Sequence, residues 1–191
     1  MTLFDHHTHN QNAPAGRAVI CLPRTVLDNP DTFTPRAGAM YSAGIHPWWT
    51  DDEVESLWHG VEKLAAHPQV VALGETGFDR LKGDLHRQEE LFARHAALAE
   101  STGKYIIIHC VRAYDLLLQA RTRLRPAVPW QVHGFRGKPA LASQLLAAGF
   151  HLSFGMHANP ETLNLIPRNE LRLETDDSGL TIEEVQSSLF L

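Results

Sequence analysis

Eight short apolar segments, separated by stretches of helical periodicity, limit what this chain of 191 residues can fold into more than any other feature. They run Thr2 to Asp5, Ala18 to Leu22, Tyr41 to Ile45, Val70 to Gly74, Tyr105 to His109, Trp130 to His133, His151 to Phe154 and Leu171 to Glu174. Several are continuously apolar rather than alternating, which is the pattern of parallel strands covered on both faces. The clearest helix spans Asp84 to Thr102, where Leu85, Gln88, Leu91, Phe92, His95, Leu98 and Ala99 form a stripe and Gly103 supplies a stop. Thr50 to Ala66 opens with Thr50 and Glu53 in capping-box spacing and ends before His67-Pro68. Ala113 to Leu124, Pro139 to Ala148 and a short turn from Pro160 to Leu165 supply three more helices. Asn10 to Arg17 is too short to hold one, and the proline-rich Pro23 to Ala39 reads as loop with at most one helical turn.

This alternation predicts an α/β fold: a single domain over residues 1–191 forming a compact closed (β/α)8 barrel of the TIM type rather than an open doubly wound sheet. The length is small for that fold, which typically takes about 250 residues, and the reduced first helices and shortened C-terminus account for the economy. A hydrophobic content of 43% fills one core. A net charge of −5 excludes a broadly basic nucleic-acid surface, so any nucleic acid would be held locally at a cationic site. No apolar run reaches membrane-spanning length and no leader pattern opens the chain, so a cytoplasmic protein is expected. Cys21 and Cys110 stand in unrelated segments and read as two reduced thiols.

In a barrel of this kind the chemistry gathers at the carboxyl ends of the strands. The first segment leads into Asp5-His6-His7-Thr8-His9, where Asp5, His7 and His9 are spaced two apart and share one face of an extended strand, with His6 on the other. The remaining strand ends bring His46, Glu75, His109, His133 and Asp176. Such a set exceeds what one zinc ion uses and points to two metals bridged by a carboxylate. Glu75 is the expected bridge, with His7, His9 and Asp176 on one metal and His109 and His133 on the other. A water activated between the metals would be the nucleophile and Asp176 its proton acceptor. Zinc, manganese, magnesium, iron and nickel are not distinguished by these residue types. His59, His67, His86 and His95 fall in or beside helices and read as surface or packing residues, while His151 and His157 flank the seventh strand.

The motifs Asp5-x-His7-x-His9, Gly44-Ile45-His46-Pro47, Gly74-Glu75-x-Gly77-x-Asp79, Ile108-His109, His133-Gly134-Phe135-x-Gly137, Ser153-Phe154-Gly155 and Glu174-Thr175-Asp176, in this order, form a specific signature. The chain resembles the TatD-type metal-dependent deoxyribonucleases of the amidohydrolase-like barrel group, from about Leu3 to Asp176. That resemblance implies hydrolysis of phosphodiester bonds in DNA with divalent metals. It also implies roles for His46 and Asp79 near the substrate or in supporting the ligand shell, with Asp5 a supporting residue.

The chain also departs from that pattern. Where such proteins have His-x-Arg after the fifth strand, it has His109-Cys110-Val111-Arg112, with the arginine one place further on. Arg136 stands where a small residue is common, as a cation for a phosphate or one that simply reaches solvent, and Asp177 follows Asp176 where such proteins commonly have Ala-Pro. The stretch from Asp177 to Leu191 holds one short helix from Thr181 onward, which leaves apolar surface on the first and eighth strands for a homodimer formed through the C-terminal region to cover. Two alternatives stand beside the nuclease reading. One is a related barrel hydrolase cleaving a carbon–nitrogen or ester bond in a small molecule, since metal-activated water serves carbonyl and phosphoryl centres alike. The other is a non-catalytic barrel, disfavoured because every expected ligand residue is present.

Overall fold

The structure is a computed structural model and describes residues 3–50 and 54–190. Its strands are β1 (Asp5–Thr8), β2 (Ala18–Cys21), β3 (Met40–Ala43), β4 (Val70–Asp79), β5 (Tyr105–Val111), β6 (Trp130–Val132), β7 (Phe150–Phe154) and β8 (Arg172–Leu173). They close into a parallel barrel in sequence order, with β1 set against β8 through Asp5 and Leu173. The helices are α1 (Arg24–Asp28), α2 (Val54–Ala65), α3 (Leu85–Thr102), α4 (Tyr114–Leu124), α5 (Pro139–Ala147), α6 (Pro160–Leu163) and α7 (Ile182–Leu189). The α/β barrel expected from the sequence is the fold observed. No helix among the described residues is long and apolar enough to cross a membrane.

The barrel wall is sealed mainly from outside. Phe78, Phe92, Trp130, Phe135 and Phe154 form the centre of a buried cluster between α3, α4, α5 and the strands. A second cluster joins Leu27 of α1 to Leu57 and Val61 of α2 over Ile20 and Ile45. A third, small group of Val19, Ala72 and Ile107 completes the buried apolar packing. Asp84 caps α3 by accepting from the backbone N–H groups of His86 and Arg87, and Gly103 ends it in the left-handed conformation.

Three boundaries differ from expectation in ways that matter for the site. The first strand begins at Asp5 instead of ending there, and its pairing with β2 advances three residues (Asp5 to Thr8) against two (Ala18 to Ile20). That irregularity interrupts the regular pairing just where the strand delivers His7 and His9. β4 runs on through Glu75 to Asp79 because Thr76, Gly77, Phe78 and Asp79 pair with β5. The fourth apolar segment read from the sequence stops at Gly74, five residues short of this end. Gly44 and Gly74 make the close strand contact: a Cβ on Gly44 would lie 2.5 Å from the Gly74 Cα, and one on Gly74 2.3 Å from the Ile107 carbonyl oxygen. Pro23 to Ala39 holds more than one turn, with α1 followed by a 3-10 turn over Pro30–Thr32.

The capping residue Glu53 and the leading Thr2 of the first segment lie outside the described residues. At the other end, Thr181 and Glu184 form a reciprocal capping box that starts α7, whose Ile182 and Val185 are buried. Ile182 joins the main core cluster with Leu3 against it, so α7 covers part of the apolar face expected to be bare.

His95 shows how a helix histidine can serve packing. It is fully buried, its Nε2 accepts the Ile45 backbone N–H at 3.1 Å, and its Nδ1 lies 2.7 Å from the Leu91 carbonyl. Burial pushes its pKa down to about 4 from 6.5. The unfolded chain therefore takes up this proton at a higher pH than the folded protein. The stability carried by neutral His95 is complete above pH 6.5 and is lost as pH falls towards about 4. Replacing His95 with Gln, which cannot titrate, should flatten the decline of the urea midpoint across that window, and an unchanged slope would contradict this assignment.

Candidate metal centre

Glu75, on the extension of β4, lies in the barrel mouth and is almost fully buried. Its two carboxylate oxygens meet different partners. Oε2 lies 3.4 Å from His7 Nε2 and 3.3 Å from His9 Nε2, and both of those nitrogens lie within 3.6 Å of Asp176 Oδ1. Oε1 lies 2.8 Å from His109 Nδ1, 2.6 Å from His133 Nε2 and 3.2 Å from His46 Nε2. The structure brings His7, His9, Glu75, His109, His133 and Asp176 into one cluster, and among the described residues the groups compact enough for a cation are His7, His9 and Glu75, then His7, His133 and Asp176, then His46, Glu75 and His109. His7 also touches His133, with ring centroids 4.5 Å apart.

Asp176 reaches the centre through backbone geometry. Its N–H donates to the His7 carbonyl and its own carbonyl accepts from the His9 N–H, while its φ of 53° lies in the left-handed region. Asp5 ties the strand ends together. It accepts from the Thr175 backbone N–H at 3.0 Å, the Thr175 hydroxyl at 2.6 Å and the His7 N–H at 3.3 Å. That contact fixes β8 beside β1 just where each delivers a site residue.

The remaining polar groups orient the imidazoles. Glu174 Oε1 lies 3.3 Å from His133 Nδ1, and the same carboxylate accepts from the Gly134 N–H and the Ser153 hydroxyl. His133 Nε2 is left facing Glu75. Asp79 Oδ2 lies 3.3 Å from His109 Nε2 and accepts the Trp48 indole N–H at 2.6 Å, leaving His109 Nδ1 for the centre. His46 behaves differently. Its Nδ1 accepts the Trp48 backbone N–H, so the neutral ring carries its proton on Nε2 and donates to Glu75. Burial holds its pKa below the ordinary value, consistent with that neutral form. His46 is suited to steady Glu75 rather than to bind a cation, although its ring lies within reach of Glu75 and His109.

A divalent cation fits this arrangement. His7 is fully buried, yet neither ring nitrogen has a hydrogen-bond partner, and its Nε2 is aimed between two carboxylates. An orphaned imidazole in that position is satisfied by a metal ion. Without metal, burial opposes the charge on Glu75 but His133, His109 and His46 outweigh it and hold the carboxyl well below its usual range. Burial likewise opposes the charge on His133, and Glu75 and Glu174 overcome it and raise that imidazole well above its usual range. A cation would replace the ring proton.

Two chambers flank the centre and share His109, His133 and Asp176. One, of about 360 Å³, is lined by Arg112, Tyr114 and Arg136. The other, of about 380 Å³, is lined by Trp48, Trp49 and Asp177. A separate cavity of about 450 Å³ lies elsewhere, bordered by His6, His151 and Arg172, and contains none of the cluster. His6 is therefore turned away, as the sequence implied.

The model of the TatD related DNase family matches residues 32–180. The chain belongs to that family. It is 35% identical over 74% of its length to the uncharacterized metal-dependent hydrolase TatD of Mycobacterium tuberculosis. It is 31% identical over 75% of its length to the 3'-5' ssDNA/RNA exonuclease TatD of Erwinia billingiae. The chain spans 60% and 59% of those two proteins, respectively. Its fold is similar to that of YJJV, a TatD homolog from Escherichia coli, with a TM-score of 0.75 at 19% identity, covering 98% of this chain and 95% of the other.

Sequence reasoning did not single out Glu174 or Trp48 as site residues. Glu174 stands two residues before Asp176, and its place at the end of the last strand was a usable signal. Trp48 follows His46-Pro47, but nothing in the pattern showed that its indole would hold Asp79. Replacing Glu174 with Ala should leave the Nδ1 of buried His133 without its acceptor and weaken metal binding by about 10- to 100-fold. Competition against a chelating dye measures this, and unchanged affinity would show that His133 does not depend on Glu174.

Proposed function

We propose that this chain is a phosphodiesterase acting on nucleic acid, with DNA the first substrate to test, and that it uses two divalent metal ions. His7, His9 and Asp176 would hold one ion, His109 and His133 the other, and Glu75 both. The carrying observation is the division of the Glu75 carboxylate, whose two oxygens face separate imidazole groups. Family membership supports metal-dependent hydrolysis, and the exonuclease name of the Erwinia relative supports a nucleic-acid substrate. Bound there, the ions supply an acidified water and positive charge opposite the phosphoryl oxygens.

The protein side chains supply the rest. Asp176 is one-quarter exposed and borders both chambers, so it can take the water's proton and pass it to solvent. Arg112 and Arg136 line one chamber without a carboxylate partner among the described residues, and can hold a phosphate flanking the scissile one. Glu174, Asp79 and Asp5 keep the ligand-bearing segments in place. The two cysteines are free and buried, as suits a reducing cytoplasm. A homodimer through the C-terminal region is a separate proposal, supported by the exposed Phe190 behind α7. Light scattering at micromolar concentration should give twice the chain mass, and a monomer would end that proposal.

Replacing Glu75 with Ala should remove both ions and lower phosphodiester hydrolysis to background. The enzyme should also be inhibited by inorganic phosphate more strongly than by a simple carboxylate. Retention of wild-type nuclease rate by Glu75→Ala after chelation and metal reloading would refute the mechanism. Hydrolysis of a carboxyl ester or amide with no action on phosphodiesters would refute the substrate class.

A further inference from the structure

Trp48 is the feature that the metal chemistry leaves unused. A tryptophan is a costly residue to leave in water, yet this one is 49% exposed and borders a chamber that opens onto Glu75, His109 and His133. It is also held still. Its indole N–H donates to Asp79 at 2.6 Å, and the Lys82 ammonium sits 3.6 Å from the ring centroid. Its ring stands edge-on to His46 at 4.8 Å between centroids. The loops that carry both partners are fixed by Gln88, buried on α3. The side-chain amide of Gln88 donates to the carbonyls of Pro47 and Lys82 and accepts the Asp79 N–H.

We infer that Trp48 is the floor of a nucleobase subsite beside the metal centre; this rests on the phosphodiesterase reading above. The two chambers differ in the chemistry they offer a nucleotide chain. Arg112 and Arg136 line one and suit phosphate, whereas Trp48, Trp49 and Asp177 line the other and disfavour it. With the scissile phosphate at the shared residues, the phosphate on one side reaches the arginines and the base on the other reaches the indole. An aromatic face accepts any base, so the subsite gives affinity for unpaired nucleotides with little sequence preference. Lys82 occupies one face of the ring, so the base stacks on the other. Asp177, an acceptor at the same wall, can take a hydrogen bond from a base N–H. Duplex ends, whose bases are already stacked and paired, gain less from such a platform.

The test compares Trp48→Phe with Trp48→Leu. Both lack the indole N–H to Asp79, so they share any loss at the metal centre and differ in the aromatic face. The probes are decathymidylate and a chain of equal length and charge built entirely of abasic sites. Affinity is read as Kd of chelator-treated protein by fluorescence anisotropy and as KM of the metal-loaded enzyme. Trp48→Leu should bind decathymidylate about tenfold more weakly than Trp48→Phe, while the two variants bind the abasic chain equally. Equal affinities for decathymidylate, or the same difference on the abasic chain, would overturn the subsite. A wild-type enzyme that binds decathymidylate through Trp48 in this way but cleaves neither chain would instead refute the phosphodiesterase reading.

Discussion

A buried carboxylate surrounded by imidazoles sets the terms for the whole structure. Glu75 is removed from water at the mouth of the barrel, and a charge in that position is tolerated only if it is compensated on each oxygen. The compensation comes from imidazoles delivered by places distant in sequence: His7 and His9 at the end of β1, His46 in the loop after β3, His109 on β5 and His133 just past β6. Closing the barrel is what brings those ends together, and their mutual contact in turn fixes where the strands end. The long β4, the left-handed backbone at Asp176 and the tie from Asp5 to Thr175 all serve to place a side chain around that carboxylate.

Three of the imidazoles at the centre, those of His133, His109 and His46, are oriented by partners outside it, and the partners are not equivalent. Glu174 and Asp79 take the far nitrogens of His133 and His109, so the near nitrogens of both rings face Glu75. For His46 the far nitrogen is occupied by a backbone donor, which reverses the proton and turns a residue of the same type into a support. His7 lacks any such partner, and its two unsatisfied nitrogens make it the residue most dependent on a cation.

The sequence made the barrel legible because covered parallel strands must be apolar along their whole length, and Val70 to Gly74 or Tyr105 to His109 have no other simple reading. The clustered histidines and carboxylates were legible because functional groups collect at the strand ends, so a list of such residues just past apolar runs nearly suffices to name the candidates. What it could not show depends on register and on contacts across the chain. The irregular pairing of β1 with β2 and the continuation of β4 beyond Gly74, which pairs with β5 as far as Asp79, both depend on partners far away in the chain. The departures also acquired positions: Arg112 and Arg136 line one chamber, Asp177 the other, so the added charges of opposite sign are kept on separate walls.

The central claim is that Glu75 joins two distinct cation sites in one cluster. Anomalous diffraction from crystals soaked in manganese, collected at the manganese edge, tests it most directly. The account predicts two peaks about 3.5 to 4 Å apart on either side of the Glu75 carboxylate, one beside His7, His9 and Asp176 and the other beside His109 and His133. A single peak at saturating metal, or two peaks that do not share Glu75, would contradict it.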